Sequence, residues 1–327
     1  QSSVFFNTAF LLNATHTLTL AMENEHAIFH AKETSPFAAN PRVKEDNSIT
    51  SYIAEYRLGL MDRLFLSGSI RHAVNNDFED TTTGRGTAAL MFPYYGTLLH
   101  FCYGSGVINP LFVELNSTFT NFIGNPDLTP EFTRGFDIGI AQALFNGRLN
   151  LDVTFFRERL RDELFIVFGF PASQTINLDG TSKRKGLELA MDARLFENTT
   201  LSGSYTYLDA TQPDPVTGDQ IREIRRPEHI ASLNLNHRFF HDRANVNMGV
   251  NFNGRSDDLD FNVFPAETVE LSSYVLVNLA GSFVLNRYIT LTGRIDNLLN
   301  EEYEEPLGFN NSGTAGFAGV RVNFDTF

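Results

Sequence analysis

Acidic residues cluster at three places in the sequence, and clustered carboxylates are candidates for metal binding or acid–base chemistry. The clusters are Asp77, Glu79 and Asp80; Asp257, Asp258 and Asp260; and Glu301, Glu302, Glu304 and Glu305. Calcium takes about six to eight oxygen ligands, but none of the clusters has the spacing of a calcium-binding loop. We therefore predict that these carboxylates are solvated loop residues, and the sequence assigns no metal ligand.

Histidine, serine and cysteine residues do not form the arrangements that enzymes use. His26 and His30 are four residues apart, but no helical pattern surrounds them to bring their rings together. The segment Gly104-Ser105-Gly106 lacks the other positions of a nucleophile elbow, and no phosphate-binding loop or dinucleotide fingerprint occurs. The single cysteine, Cys102, excludes an internal disulfide framework and cysteine-rich metal sites. The sequence therefore predicts that the chain is not an enzyme and has no cofactor.

The overall charge argues against a nucleic-acid partner. The 327 residues include 25 Lys and Arg against 39 Asp and Glu, which gives a net charge of −14. Binding to a phosphate backbone depends on clustered basic residues, so no nucleic-acid partner is expected. Phenylalanine occurs 31 times among polar residues that are spread along the whole chain. This combination indicates a surface that faces lipid.

Apolar and polar residues alternate along the chain. The alternation is regular over 149–155, 187–195, 231–235, 246–252 and 289–295. A period of two residues is that of a β-strand whose two faces meet different environments, and no helical pattern of comparable length occurs. No stretch offers the about 20 continuous apolar residues that a membrane-spanning helix needs. If this chain enters a membrane, it therefore does so as strands.

Two kinds of connection divide these strands. Short turns are predicted at 13–15, 61–63, 94–96, 146–148, 197–199, 241–243 and 286–287, and longer polar loops at 25–48, 76–82, 108–131, 169–179, 210–225, 254–268 and 301–312. Seven turns and seven loops separate fifteen strands. Short turns on one rim and long loops on the other are typical of transmembrane barrels. The predicted fold is an all-β, antiparallel, up-and-down transmembrane β-barrel.

A soluble β-sandwich or propeller is the alternative, because its strands also alternate. The content of the polar face favours the barrel: Asn, Asp, Arg, Ser and Thr suit a water-filled lumen, while the other face stays apolar on nearly every strand. The run 149–168 contains no turn signal, and it is longer than the about 5–6 residues of a typical sandwich strand.

The direction of the terminal strands gives an expectation about completeness. The last strand, at about 313–327, follows a long loop, and the first, at about 4–12, precedes a short turn, so both run toward the short-turn rim. That arrangement makes the strand count odd, whereas single-chain bacterial barrels have even counts. We therefore expect residues 1–327 to be the carboxy-terminal portion of a larger barrel, a single truncated domain, and an incomplete sheet when folded alone.

Short motifs between residues 103 and 303 resemble those of one transport family. The residues that carry the resemblance are Gly104, Gly106, Pro110, Glu114 and Leu115; Asn125, Pro126, Leu128, Pro130 and Glu131; Gly186 and Glu188; Arg226 and Pro227; and Asn297, Leu298 and Tyr303. They lie in stretches similar to the patterns GxGFxxPxxxEL, NPxLxPE, xxGxEL, RRP and xNLFxxxY of the TonB-dependent outer-membrane receptors. The motifs follow the family's order, and the first hundred residues carry none.

The resemblance implies a barrel of about 22 strands with an amino-terminal plug in its lumen, the plugged class of outer-membrane transporters. Against fifteen strands here, about seven strands, the plug and the TonB-contacting segment would be absent. The implied function is uptake of a scarce ligand, such as a siderophore–metal chelate or cobalamin, across the outer membrane of a Gram-negative bacterium with TonB-coupled energy. The implied partners are outer-membrane lipid and lipopolysaccharide, the plug, TonB and the ligand. A passive porin and a soluble β-rich binding protein are the alternative functions.

Two further sets of residues have predicted roles. The loop that holds Phe112, Phe119, Phe122 and Asn125 offers aromatic rings that could pack against a planar chelate, or that could instead anchor the loop to its neighbours. The carboxy-terminal assembly signal of outer-membrane barrels would lie at Phe324 or at Phe327, because the two phenylalanines have opposite parity in the last strand.

Overall fold

The computed structural model describes residues 2–13, 15–32, 42–119, 121–169, 171–263 and 266–324. One sheet of sixteen strands forms a wall, and fifteen of these strands follow one another in chain order. They are β1 (Ser2–Asn13), β2 (His16–Lys32), β3 (Arg42–Leu60), β4 (Leu64–Asn75), β5 (Thr81–Phe92), β6 (Thr97–Ile108), β9 (Glu131–Leu144), β10 (Leu149–Arg161), β13 (Thr181–Phe196), β14 (Thr199–Pro213), β16 (His229–Phe239), β17 (Ala244–Asn253), β20 (Tyr274–Val284), β21 (Ile289–Asp296) and β22 (Ala315–Val322). The sixteenth, β15 (Gln220–Arg222), pairs only with the end of β14.

Smaller elements lie in the long loops. One helix, α1 (Phe112–Asn116), precedes a four-stranded sheet of β7 (Thr118–Phe119), β8 (Phe122–Ile123), β11 (Leu164–Val167) and β12 (Ser173–Asn177), and a separate hairpin pairs β18 (Ser256–Asp260) with β19 (Glu267–Leu271). The pairing of β8 with β12 joins two loops that are distant in sequence. Within the described ranges, no helix is long and apolar enough to cross a membrane.

The predicted fold and strand number are confirmed. Every neighbouring pair in the wall is antiparallel, and short turns alternate with longer connections between the fifteen strands. Several short turns contain residues with positive φ, among them Asp62 (53°), Asn146 (56°) and Asp242 (66°). Asn and Asp tolerate this left-handed conformation better than most side chains, so these turns are encoded locally.

Two predicted boundaries are wrong. The loop expected at 25–48 is largely strand, since β2 continues to Lys32 and β3 begins at Arg42. The run 149–168, expected to be unbroken, is divided: β10 ends at Arg161, Asp162 has a φ of 56°, and β11 then belongs to the small loop sheet. The first error arises because the alternation along β2 stops after Met22: the next four residues are all polar, so the sequence gives no strand signal there.

The ends of the wall agree in part with the expectation. The last strand ends at Val322, Phe324 is 85% exposed, and Phe327 lies outside the described residues. Among the described residues, β1 and β22 do not pair with each other, so the sheet is not closed. This is the incomplete sheet that the sequence predicts.

Strand register sorts the side chains of the wall into two faces. Leu189 on β13 lies between Val153 and Tyr205, and in the same way Met248 on β17 is aligned with Leu235 and Leu279. We call this the apolar face; its residues stay exposed in the free sheet, Leu189 and Met248 each at 38%.

On the opposite, polar face, asparagines form reciprocal amide pairs across β16 and β17. Asn234 pairs with Asn247 at 3.1 and 2.8 Å, and Asn236 pairs with Asn245 at 3.0 Å in both directions. A strip of neutral amides therefore lines this face, which suits contact with water.

The buried core lies at one end of the wall. The buried apolar residues are Leu128, Leu160, Leu178, Ala210, Leu271 and Tyr274. All six belong to the long loops or to the strand ends beside them. The described part of the chain is therefore a thin wall with a packed cap of loops.

Candidate functional site

The loops that connect the wall strands on the side opposite the short turns form what we call the long-loop rim. Its main segments are 109–130, 162–180, 214–228, 254–273 and 297–314. Side-chain and backbone hydrogen bonds join these segments to one another. Some are made by residues of the sequence motifs, such as Asn125 and Glu131, and others by residues outside the motifs, such as Arg184 and Asp258.

The stretch Asn125–Glu131 organises the first segment and joins it to the second. The Asn125 amide donates to the Thr175 carbonyl oxygen at 3.0 Å, and its Oδ1 accepts from the backbone N–H of Asp127 at 3.1 Å. Glu131 is 7% exposed and accepts from the backbone N–H of Leu164 at 3.1 Å. The hydrogen bonds of Asn125 and of Glu131 hold the two ends of this stretch, and Leu128 and Pro130 between them are buried. The motif therefore fixes loop geometry.

Helix α1 is held against the same strands. The Glu114 carboxylate accepts from the backbone N–H of Leu111 at 2.7 Å and from the Thr175 hydroxyl at 3.4 Å. A Cβ at Gly124 would lie 2.5 Å from the backbone nitrogen of Ser117. Only glycine fits this approach of two backbone segments, which explains the residue beside Asn125.

An ion-pair cluster joins the second segment to the third. The Arg184 guanidinium, at the loop end of β13, donates to Glu163 at 3.0 Å and to both carboxylate oxygens of Glu223 at 2.9 and 3.1 Å. Arg226 adds a bond to Glu223 at 3.3 Å. Ser182 donates to Glu163, and burial raises the pKa of the Glu163 carboxyl above its ordinary value. Two carboxylates are tolerated here because the Arg184 guanidinium lies between them and donates to both.

Asp258 joins the third, fourth and fifth segments. Its side chain is fully buried, accepts from Arg225 at 2.8 Å and accepts from the backbone N–H of Leu307 at 2.7 Å. Burial opposes ionisation, but the N–H groups of Leu307 and Leu259 together with Arg225 outweigh it and lower the pKa of Asp258. The stabilisation is therefore complete above the ordinary carboxyl pKa and is lost as the pH falls through the lowered folded-state value.

The last segment is closed by Asn297 and by two tyrosines. Asn297 is 5% exposed; its amide donates to the Glu301 carbonyl oxygen at 2.8 Å, and its Oδ1 accepts from the Glu301 N–H at 2.8 Å. Tyr303 stacks on Tyr274 with ring centroids 4.3 Å apart, and the Tyr274 hydroxyl donates to Glu305 at 2.6 Å. This motif also positions a loop.

The remaining motif residues lie in the wall or line the rim. Gly104, Gly106, Gly186 and Glu188 are in β6 and β13, Leu115 is in α1, and Pro110, Pro126, Pro227 and Leu298 are in the loops. Gly186 is a close-approach position, since a Cβ there would lie 2.1 Å from the Tyr207 carbonyl oxygen and 2.7 Å from the Phe156 ring. Leu298 is 42% exposed, and its backbone N–H donates to the Val277 carbonyl oxygen at 2.7 Å.

The aromatic residues of the predicted ligand loop pack against the protein itself. Phe112 stacks on Phe29 of β2 with centroids 5.7 Å apart, and Phe119 pairs with Phe122 across the β7–β8 turn. All three are half-buried, and the Asn125 amide is committed to Thr175. The structure brings the four residues into one loop, and part of each phenylalanine stays open to solvent.

The sequence missed the residues that hold the rim together. Asp258 was expected to be a solvated loop carboxylate, and this is wrong because Arg225 and the distant Leu307 enclose it. Arg184, Glu163 and Glu223 had no local signal, since their partners are 21 and 39 positions apart. Within the described ranges, no group of three or more His, Cys, Asp or Glu side chains could hold a metal ion. The arrangement suits an ordered binding surface.

Comparison with protein families gives an independent assignment. The family model described as "TonB dependent receptor-like, beta-barrel" matches residues 2–298. The chain is similar to the vitamin B12 transporter BtuB of Vibrio cholerae, with 25% identity over 260 residues, which cover 79% of this chain and 40% of that protein. It is also similar to the metal-pseudopaline receptor CntO of Pseudomonas aeruginosa, with 27% identity over 245 residues, 71% of this chain and 32% of that protein.

Solved structures show the same fold. A mutant of the ferric enterobactin receptor PfeA from Pseudomonas aeruginosa superposes with a TM-score of 0.80 at 17% identity, covering 98% of this chain and 53% of that one. The siderophore receptor PirA from Acinetobacter baumannii gives 0.80 at 15% identity, covering 98% and 55%. The chain thus spans about half the length of these structures and two fifths or less of the two sequence relatives named above. It belongs to the β-barrel family of the TonB-dependent receptors, which are transport receptors and not enzymes.

Proposed function

We propose that this chain forms the carboxy-terminal part of the barrel of an outer-membrane receptor that imports a metal chelate or a cobalamin. The observation that carries the proposal is the rim, in which hydrogen bonds and ion pairs, some of them made by family-motif residues, join five loops into one ordered surface. The similar proteins named above are a vitamin B12 transporter, a metal-pseudopaline receptor and siderophore receptors, which supports a small chelate as the ligand.

The apolar face of the wall would contact lipid of the outer membrane, and the amide-rich face would line the lumen. Neutral amides form hydrogen bonds with water and polar ligands but create no strong electrostatic field. A plug domain or a passing ligand could therefore move along them. The long-loop rim would face the cell exterior, as the longer loops of outer-membrane barrels do. The proposed import step draws energy from TonB acting on an amino-terminal plug, with both partners outside residues 1–327.

An ordered rim contributes to affinity because it does not have to be ordered when the ligand binds. The ion pairs and motif hydrogen bonds hold the loops, while the open parts of Phe112, Phe119 and Phe122 are the proposed contact surface for the ligand.

Deleting residues 114–123 in the full-length protein is expected to weaken ligand binding at least tenfold while the barrel still inserts. The deletion removes Phe119 and Phe122 together with β7 and β8, but it leaves Phe112 and the wall strands in place. Binding is measured with vitamin B12, metal–pseudopaline, ferric enterobactin and ferric pyoverdine, and insertion by heat-modifiable migration of the folded barrel. A two-residue Gly-Ser insertion in the short turn at 146–148 is the control and should leave binding unchanged. Parental affinity after the loop deletion would exclude this loop from the binding surface.

A further inference from the structure

Basic side chains collect on the apolar face of the wall, at the ends of three strands next to the long-loop rim. We call this set the basic patch; it consists of Arg134 on β9, Arg157, Arg159 and Arg161 on β10, and Lys183 and Lys185 on β13. Strand register makes it contiguous: Arg159 is aligned with Arg134 on one side and with Lys183 on the other, and Arg157 is aligned with Lys185. Neighbouring strands lie about 4.8 Å apart, so these charges share one surface.

The patch is exposed and almost free of acidic partners. All six side chains are exposed, while the alternating residues Glu158, Ser182 and Arg184 point to the opposite face and are half-buried or buried. Lys185 pairs with Asp209 at 3.0 Å, and the other five form no ion pair with any described residue. The chain as a whole has a net charge of −14, whereas this part of the apolar face carries these five unpaired positive charges.

Like charges directly opposite one another on a sheet destabilise it, so the patch is unfavourable without counter-anions. A groove lined by Phe132, Arg134, Arg159, Arg161 and Lys183 lies within it. Guanidinium groups bind phosphate oxygens in bidentate geometry. The patch is thus suited to more than one phosphate group at once.

The basic patch lies directly beyond the apolar residues of the same three strands. On each strand the change from apolar to basic occurs in a single step along the face: Phe136 to Arg134, Phe155 to Arg157, and Leu187 to Lys185. Two residues along a strand span about 6.6 Å. An aromatic or aliphatic row with cations directly beyond it is typical of the boundary between hydrocarbon and headgroups.

We propose that the basic patch binds the phosphate groups of an anionic lipid in the outer leaflet, whose acyl chains lie against the apolar face below Phe155. The proposal rests on the outer-membrane location given under Proposed function. It assigns a role to six residues that do not take part in the hydrogen bonds of the rim. A soluble anion does not explain the continuity of the patch with the apolar face, whereas a phosphorylated lipid meets both surfaces at once.

The test compares two variants of the full-length protein in nanodiscs that contain diphosphorylated lipid A, dephosphorylated lipid A or phosphatidylcholine alone. The patch variant carries R157Q, R159Q and K183Q. The control variant carries R63Q, R194Q and R321Q, three exposed cations outside the patch, so both lose the same charge. Each cation near an anionic surface contributes about fivefold to binding. Retention of diphosphorylated lipid A, measured by native mass spectrometry, should therefore fall at least tenfold in the patch variant only.

Equal retention by the patch variant and the parent protein would overturn the proposal, as would equal retention of phosphorylated and dephosphorylated lipid A by the parent. Displacement of the lipid by millimolar inorganic phosphate would show that a free anion is the occupant and would also overturn it. Barrel insertion and binding of the four chelates are measured on the same samples. If insertion and chelate binding persist without lipid selectivity, this inference fails while the proposed function stands.

Discussion

Replacing Leu189 by arginine is expected to destabilise the lipid-inserted barrel by about 2–4 kcal/mol, the cost of a cation near the membrane midplane on a lipid-facing strand position. Leu189 lies at the middle of β13 between Val153 and Tyr205 on the apolar face. An arginine there has no water and no acidic neighbour on its own face, so its charge is exposed to hydrocarbon. The free energy of unfolding in lipid vesicles, from urea titration, measures the effect.

Ala190→Arg is the matched control, because it creates the same side chain one position along the strand but on the amide-rich face. Ala190 is aligned with Asp152 on β10 and Ser204 on β14, which offer the new cation a carboxylate and a hydroxyl. We expect a change below about 1 kcal/mol. Equal destabilisation by the two variants would show that the two faces have been assigned wrongly.

Asp258→Ala is expected to release the fifth segment of the long-loop rim. Hydrogen bonds to charged groups contribute about 1.5–3 kcal/mol, and the substitution leaves the Leu307 N–H and the exposed Arg225 guanidinium without their acceptor. A loss of about 3 kcal/mol in local opening free energy corresponds to an increase of about a hundredfold in amide exchange rate. Hydrogen exchange of residues 303–309 in the detergent-solubilised protein is the measurement.

The control for this prediction is Asp257→Ala, one residue away in β18. Asp257 accepts from the Arg225 backbone through its carbonyl oxygen, which the substitution retains. Exchange at 303–309 should then stay at the parental rate. Unchanged protection in Asp258→Ala would mean that the buried carboxylate does not hold the rim together.

Strand periodicity made the wall predictable from the sequence. Along β13 and β17, lipid and water impose opposite demands on neighbouring side chains, so residues such as Leu189 and Ala190 record the face on which they lie. The tight turns were predictable because they contain Asn146 and Asp242, which have positive φ values that Asn and Asp adopt more readily than most side chains.

Where consecutive residues of a strand are all polar, the alternation is absent. The end of β2 carries Glu25, His26 and His30 and was expected to be loop for this reason. The break at Asp162 was missed because one left-handed residue ends the wall strand inside an apolar run.

The candidate site was predictable only in its motif residues. Asn125 and Asn297 were identified by resemblance to the family motifs. In the structure, the side-chain oxygen of each accepts a hydrogen bond from a backbone N–H of its own loop. Asp258 resembles its solvated neighbours in sequence, because the Leu307 N–H that binds it is 49 residues away. Burial of a loop carboxylate depends on such distant partners, which composition and spacing do not encode.

Uptake by cells tests the central claim most directly. The full-length protein is expressed in a Gram-negative host that lacks its own receptors, with and without TonB, and accumulation of vitamin B12, metal–pseudopaline, ferric enterobactin and ferric pyoverdine is followed. We predict saturable uptake of at least one of them that disappears without TonB. Uptake that persists at the same rate without TonB would identify a passive pore, and a correctly inserted protein that accumulates none of the four would contradict the account.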